Sequence, residues 1–145
     1  MSTDLAFGTQ LIGQAESALG AILDRELTGT GLTQPRWVIL TLAVLNDGTI
    51  EHHELVGRAV RVLKTSQDEA EAQIANLADA ELVEASAEDA VRVRVTDAGQ
   101  RLHSRIRLAL AEITQRLWGD LPADDLSTAG RVLGTVLERA NAELA

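Results

Sequence analysis

No cysteine occurs among the 145 residues, which excludes a disulfide framework and a thiolate metal site and suits a reducing cytoplasm. Only three side chains are aromatic (Phe7, Trp37 and Trp118), so a core has to be built from Leu, Val, Ile and Ala, a composition that favours helices. No apolar run approaches the ~20 residues of a membrane span, and the opening MSTDLAFGTQ carries an acid where a secretory leader needs base. The expectation is a soluble cytoplasmic protein with no membrane role. Basic residues are missing from one long stretch. Between Lys64 and Arg92 there is no Lys or Arg, while Asp68, Glu69, Glu71, Asp79, Glu81, Glu84, Glu88 and Asp89 supply eight of the 22 acids. The other 14 acids nearly cancel the 13 bases, so almost all of the net charge of −9 sits in this one segment. Such a balance argues against a protein that coats nucleic acid.

The length is that of one ordinary domain, large enough to bury a core unaided. Residues 4 to 27 repeat apolar side chains at helical spacing, through Leu5, Leu11, Ala15, Leu19, Ile22 and Leu27. TGTGL breaks that helix. Thr33 then caps a second one, RWVILTLAVL, with Pro35 tolerated in its first turn. NDGT (Asn46–Thr49) reads as a turn, and a helix from about Glu51 to Leu63 follows, with Leu55, Ala59 and Val62 on one side. In SQDEAEAQIANLADAEL, Ala70, Ile74 and Leu77 are spaced four and three apart, the buried stripe of a fourth helix. The period then changes to two. VRVRV (Val91–Val95) puts valines on one face and Arg92 and Arg94 on the other, and ELVE pairs with it as a hairpin through ASAEDA. Thr96 and Asp97 start a long helix that Gly119 and Pro122 end. The last helix carries Leu126, Leu133 and Leu137 at the three-and-four spacing of a helix–helix seam. No repeat or linker divides the chain.

NDGTIEHHE matches an EF-hand loop at Gly48, Ile50 and Glu54, but Ala43 and Leu45 stand where the first calcium ligands belong. His52, His53 and Glu54 suggest a metal, yet neighbouring helical residues point apart and His103 is distant in sequence. With no Gly-rich phosphate loop after a strand, and no Ser, His and Asp that the sequence brings together, neither an enzyme nor a cofactor is expected.

The layout resembles the MarR family of bacterial regulators. The segments that carry the likeness are LTQPRWVILTLA (Leu32–Ala43), HELVGRAV (His53–Val60), LADAELVE (Leu77–Glu84), VRVTDAGQRL (Val93–Leu102) and LPADDLSTAGRVLGTVL (Leu121–Leu137), in family order over nearly the whole chain. The resemblance implies a mainly α fold with a small β-hairpin wing. A single domain, 1–145, would comprise a winged helix-turn-helix lobe at 31–96 and dimerisation helices at 1–30 and 97–145. It also implies a homodimer and a small aromatic or phenolic ligand, in a cleft that would open beside Arg36 and Trp37. The competing reading of Trp37 is packing against the first helix.

The departures from the family pattern fall on its DNA-reading face. Where relatives offer Ser, Thr and Arg from the recognition helix, this sequence has Asp68, Glu69, Glu71, Ala72 and Asn76. The wing is about four residues shorter, and its Asp-Arg-Arg tip becomes Glu88-Asp89. The glycine usual before the first wing strand is Glu81. Residual phosphate contacts would fall to Arg58, Arg61, Lys64, Arg92 and Arg94. Phosphate contacts supply most of a DNA binder's affinity, and acids facing phosphate add repulsion. The expectation is a MarR-like homodimer of transcription regulation with direct DNA binding weakened or lost, acting through a small ligand or a basic protein partner. The alternative is an ordinary ligand-responsive DNA-binding repressor.

Overall fold

A computed structural model describes residues 5–145. Six helices and three short strands follow one another: α1 (Thr9–Leu27), α2 (Gln34–Leu45), β1 (Thr49–Glu51), α3 (His52–Leu63), α4 (Gln67–Asp79), β2 (Val83–Ala85), β3 (Arg92–Val95), α5 (Asp97–Trp118) and α6 (Ala123–Leu144). No described helix is long and apolar enough to cross a membrane. The chain forms two compact units, one ending at Leu110 and the other running from Ala111 to Ala145, with the boundary inside α5.

In the first unit α2, α3 and α4 pack around Ile39, Leu40, Leu55 and Leu77, all essentially inaccessible to solvent. Burying each such side chain stabilises the fold by about 1.5–3 kcal/mol. The helices begin where the sequence offers caps. Thr33 accepts from the Arg36 N–H at the start of α2, and Ser66 from the Glu69 N–H at the start of α4, at 3.5 and 3.1 Å. Thr96 Oγ1 accepts from the Gly99 N–H at the start of α5 while donating back to the Glu81 carbonyl. That hydroxyl ties the base of the wing to the helix that follows it. The first half of α5 belongs to this core, with Ile106 buried and Leu102 and Leu110 packed against it. The first compact unit therefore takes in α5 as far as Leu110.

The sheet has three antiparallel strands in the order β1-β3-β2, not two. Val83 faces Val95 across β2 and β3, while Ile50 faces Val93 across β1 and β3. The sequence pattern puts Thr49 in a turn and Glu51 at a helix start, whereas both belong to β1. Three residues are too few to show a period, and only pairing with β3 and complete burial of Ile50 make them a strand. Val91 also departs from expectation. It lies outside β3, 59% exposed, and its carbonyl accepts from the His52 N–H at 2.8 Å. The first helix starts at Thr9, later than its periodicity suggests, because Gly8 is extended; residue 4 lies outside the described residues.

In the second unit α6 buries no residue, and Val132, Leu133, Val136 and Leu137 are 38–59% exposed. Leu126 is half-buried.

Candidate nucleic-acid interface

Helix α4 holds the position at which the resemblance expects a recognition helix. Ala70, Ile74 and Leu77 hold its inner face in the core, so the other side must point outward. Asp68, Glu69, Glu71 and Ala72 are exposed, and Asn76 is half-buried. Asp68 and Glu69 lie in the first turn, where carboxylates favour the helix dipole by about 0.3–1 kcal/mol each. The acids thus support the very helix whose outward face they make negative.

The wing adds the same sign. Glu88 and Asp89 are exposed in the connection between β2 and β3. Their groups shape the turn: Ser86 Oγ accepts from the Glu88 N–H, and the Asp89 carboxylate accepts from the Val91 N–H at 3.1 Å. Part of this acidity is therefore used to close a short hairpin.

Four of the five flanking cations have local partners. Arg58 pairs with Glu54 at 2.5 Å, and Arg94 pairs across the wing with Glu84. Lys64 donates to the Arg61 carbonyl, and half-buried Arg92 donates to Thr49 Oγ1 at 3.3 Å. Arg61 is exposed and forms no ion pair among the described residues. Exposed pairs are worth about 0–1 kcal/mol, so they lower the local positive field without locking the side chains.

Arg36 and Trp37 are adjacent but engaged separately. Arg36 donates Nε to Gln73 Oε1 at 2.8 Å and Nη1 to the Gly31 carbonyl at 3.3 Å, while Gln73 donates to Glu69 Oε1 at 2.6 Å. A chain of side chains thus runs from the α1–α2 loop to the first turn of α4. Trp37 stacks on His103 of α5, with ring centroids 4.6 Å apart and planes inclined by 14°. Its stacking partner is therefore on α5. His103 is only 4% exposed, and its Nε2 shares a 3.0 Å hydrogen bond with Thr41 Oγ1. Burial pushes its pKa below the usual 6.5, with the Arg107 charge acting in the same direction.

The sequence singles out His103 only as a distant metal candidate, and Thr41 and Gln73 not at all. One signal was present: His103 stands four residues after Gly99 and three before Ile106, on the buried stripe of α5. His52 and His53 lie at the start of α3, beside an open hollow shared with Glu51, Ala90 and Val91. No group of three or more His, Asp or Glu able to hold a metal occurs among the described residues. Asp47 and Gly48 form a tight left-handed turn, at φ 61° and 78°, that leads straight into β1.

The sequence matches no protein-family model and no curated protein. Its fold matches many solved structures. A MarR family transcriptional regulator from Silicibacter pomeroyi superposes with a TM-score of 0.76 at 20% identity, over 93% of this chain and 90% of that one. The reduced form of MarR from E. coli gives 0.67 at 21% identity, over 92% and 96%. NadR in complex with 4-hydroxyphenylacetate gives 0.72 at 21% identity, over 90% and 95%. At these identities the likeness is one of fold: the chain has the winged-helix fold of MarR regulators.

Proposed function

We propose that this chain is a homodimeric, non-enzymatic protein of transcription regulation, of the MarR type, whose DNA-reading face has changed sign so that direct DNA binding is weak or lost. The observation that carries the reading is the outward face of α4. Asp68, Glu69 and Glu71 are exposed there, on a helix whose inner face is packed as a recognition helix requires. Every cation lost from such a face removes a counterion-release contribution to affinity, and every acid gained opposes the phosphates. A carboxylate accepts from cytosine N4 only on a protein that cations already anchor. Here Arg58 and Arg94 are paired with Glu54 and Glu84.

A second copy of the chain is the expected cover for α6. Leu133 and Leu137 are about half-exposed at helical seam spacing, and a contiguous apolar face of this kind marks an interaction surface. Output would then pass through a small effector or through a basic protein docked on the acidic face. The complex of NadR with 4-hydroxyphenylacetate supports an anionic aromatic effector. At Arg36 its carboxylate would have to replace Gln73 on the guanidinium.

The competing reading, an ordinary ligand-responsive repressor, rests on Arg61 and on exposed ion pairs that DNA could exchange. Changing Asp68, Glu69 and Glu71 to Ser, Thr and Arg separates the two. The charge-reversal reading expects a folded variant, by circular dichroism, with nonspecific DNA affinity raised well above that of the wild type. Equal affinities for the two proteins would contradict it.

A further inference from the structure

His103 is the one strongly buried polar or charged side chain among the described residues. It joins two helices of the lobe. From α5 its ring stacks on Trp37 of α2, and its Nε2 bonds Thr41, one turn further along the same helix. Both contacts accept a neutral imidazole readily. The hydrogen bond to a hydroxyl runs in either direction according to tautomer, and flat stacking at 4.6 Å excludes water from one ring face. We propose that His103 is a proton sensor built into the α2–α5 packing, and that its protonation in mild acid loosens α2 from α5.

The surroundings favour the neutral ring. Burial lowers the pKa of His103, and Arg107, one turn along α5, lowers it further. Opposite it, α2 presents Trp37 and Thr41; the only charged residue of α2, Arg36, is turned to Gln73. The imidazolium therefore forms without a compensating anion on α2. The sign follows from linkage. Because the folded pKa is depressed, the unfolded or loosened chain holds more protons below about pH 6.5. Stability is then full above that value and falls as the pH drops towards the folded pKa, by up to tenfold in the opening equilibrium per pH unit.

The test uses Trp118→Phe protein, whose sole indole is Trp37; Trp118 is 41% exposed, so the change should be tolerated. Between pH 8 and 4.5, the NMR titration of His103 and the emission of Trp37 should change together, with a midpoint below 6.5. Amide exchange around Thr41, corrected for its intrinsic pH dependence, should quicken as the pH falls through the His103 midpoint. His103→Gln should abolish the Trp37 transition, and Arg107→Gln should move the midpoint up. Three results would overturn the proposal: His103 titrating at or above 6.5, a Trp37 transition that survives in His103→Gln, or titration of His103 with unchanged exchange. The NMR arm needs only the His103-containing protein, so it decides the question even if His103→Gln does not fold.

Discussion

Replacing Glu81 with Gly should make the protein more stable. Glu81 lies just beyond α4 at φ 62°, in the left-handed region. The Leu82 N–H reaches back to the Leu77 carbonyl at 3.0 Å and the Glu81 N–H to that of Ala78 at 2.9 Å, the pair of bonds that closes a Schellman C-cap. The left-handed residue of that motif is usually glycine, which explains the glycine found here in the family that the sequence resembles. A side chain in this conformation costs about 1–2 kcal/mol, whereas glycine gives back about 0.5–1 kcal/mol in unfolded-chain entropy. The net gain expected is about 0.5–1 kcal/mol, or roughly 1–4 °C in Tm for a chain of this size. Urea unfolding measures it, as a higher midpoint at unchanged slope. Glu81→Ala is the control, since it removes the same charge but keeps the Cβ. If Gly and Ala variants rise equally, the gain comes from charge. If the Gly variant is no more stable than wild type, the backbone argument fails.

Gly99→Ala should destabilise by about 1–3 kcal/mol, because a Cβ there would meet the Leu82 carbonyl oxygen at 2.2 Å and Val95 Cγ1 at 2.9 Å. An unchanged urea midpoint would contradict that close approach of α5 to the wing. Leu133→Glu with Leu137→Glu should give monomeric or unfolded protein in analytical ultracentrifugation, and a dimer of native size in the double variant would remove α6 from the seam. Arg36→Met and Gln73→Met should each cost about 0.5–1.5 kcal/mol, and the double variant less than their sum. Strict additivity would show that the bond between α2 and α4 contributes nothing. Salicylate or 4-hydroxyphenylacetate should change Trp37 emission or raise Tm; if neither moves, Arg36 and Trp37 are not the effector site.

The helices were legible because their apolar residues keep a period. Ala70, Ile74 and Leu77 sit in the core as their spacing implies, and Val93 and Val95 alternate with Arg92 and Arg94 across β3. β1 was illegible because a three-residue strand exists only through its partner. Val91 extends the valine alternation in sequence, yet the short hairpin carries it out of the strand. The charge of the outward face of α4 is legible in the sequence, since the acids form one run on a helix whose apolar spacing fixes its buried side. The ties that hold the face were not. Arg36 and Gln73 are 37 residues apart, and Thr41 and His103 are 62, and no local pattern announces a pairing of that kind.

The central claim is most directly tested by fluorescence anisotropy with the wild-type protein and DNA fragments from upstream of its own gene, at ~50 and ~200 mM salt. The charge-reversed face predicts no specific complex in the usual range of about 10⁻⁸ to 10⁻¹¹ M at either salt, and at most weak binding that does not discriminate among fragments. One fragment bound in that range, with an affinity that falls about 10³-fold or more between the two salts, would mean that cations do reach the phosphates and that α4 still reads DNA.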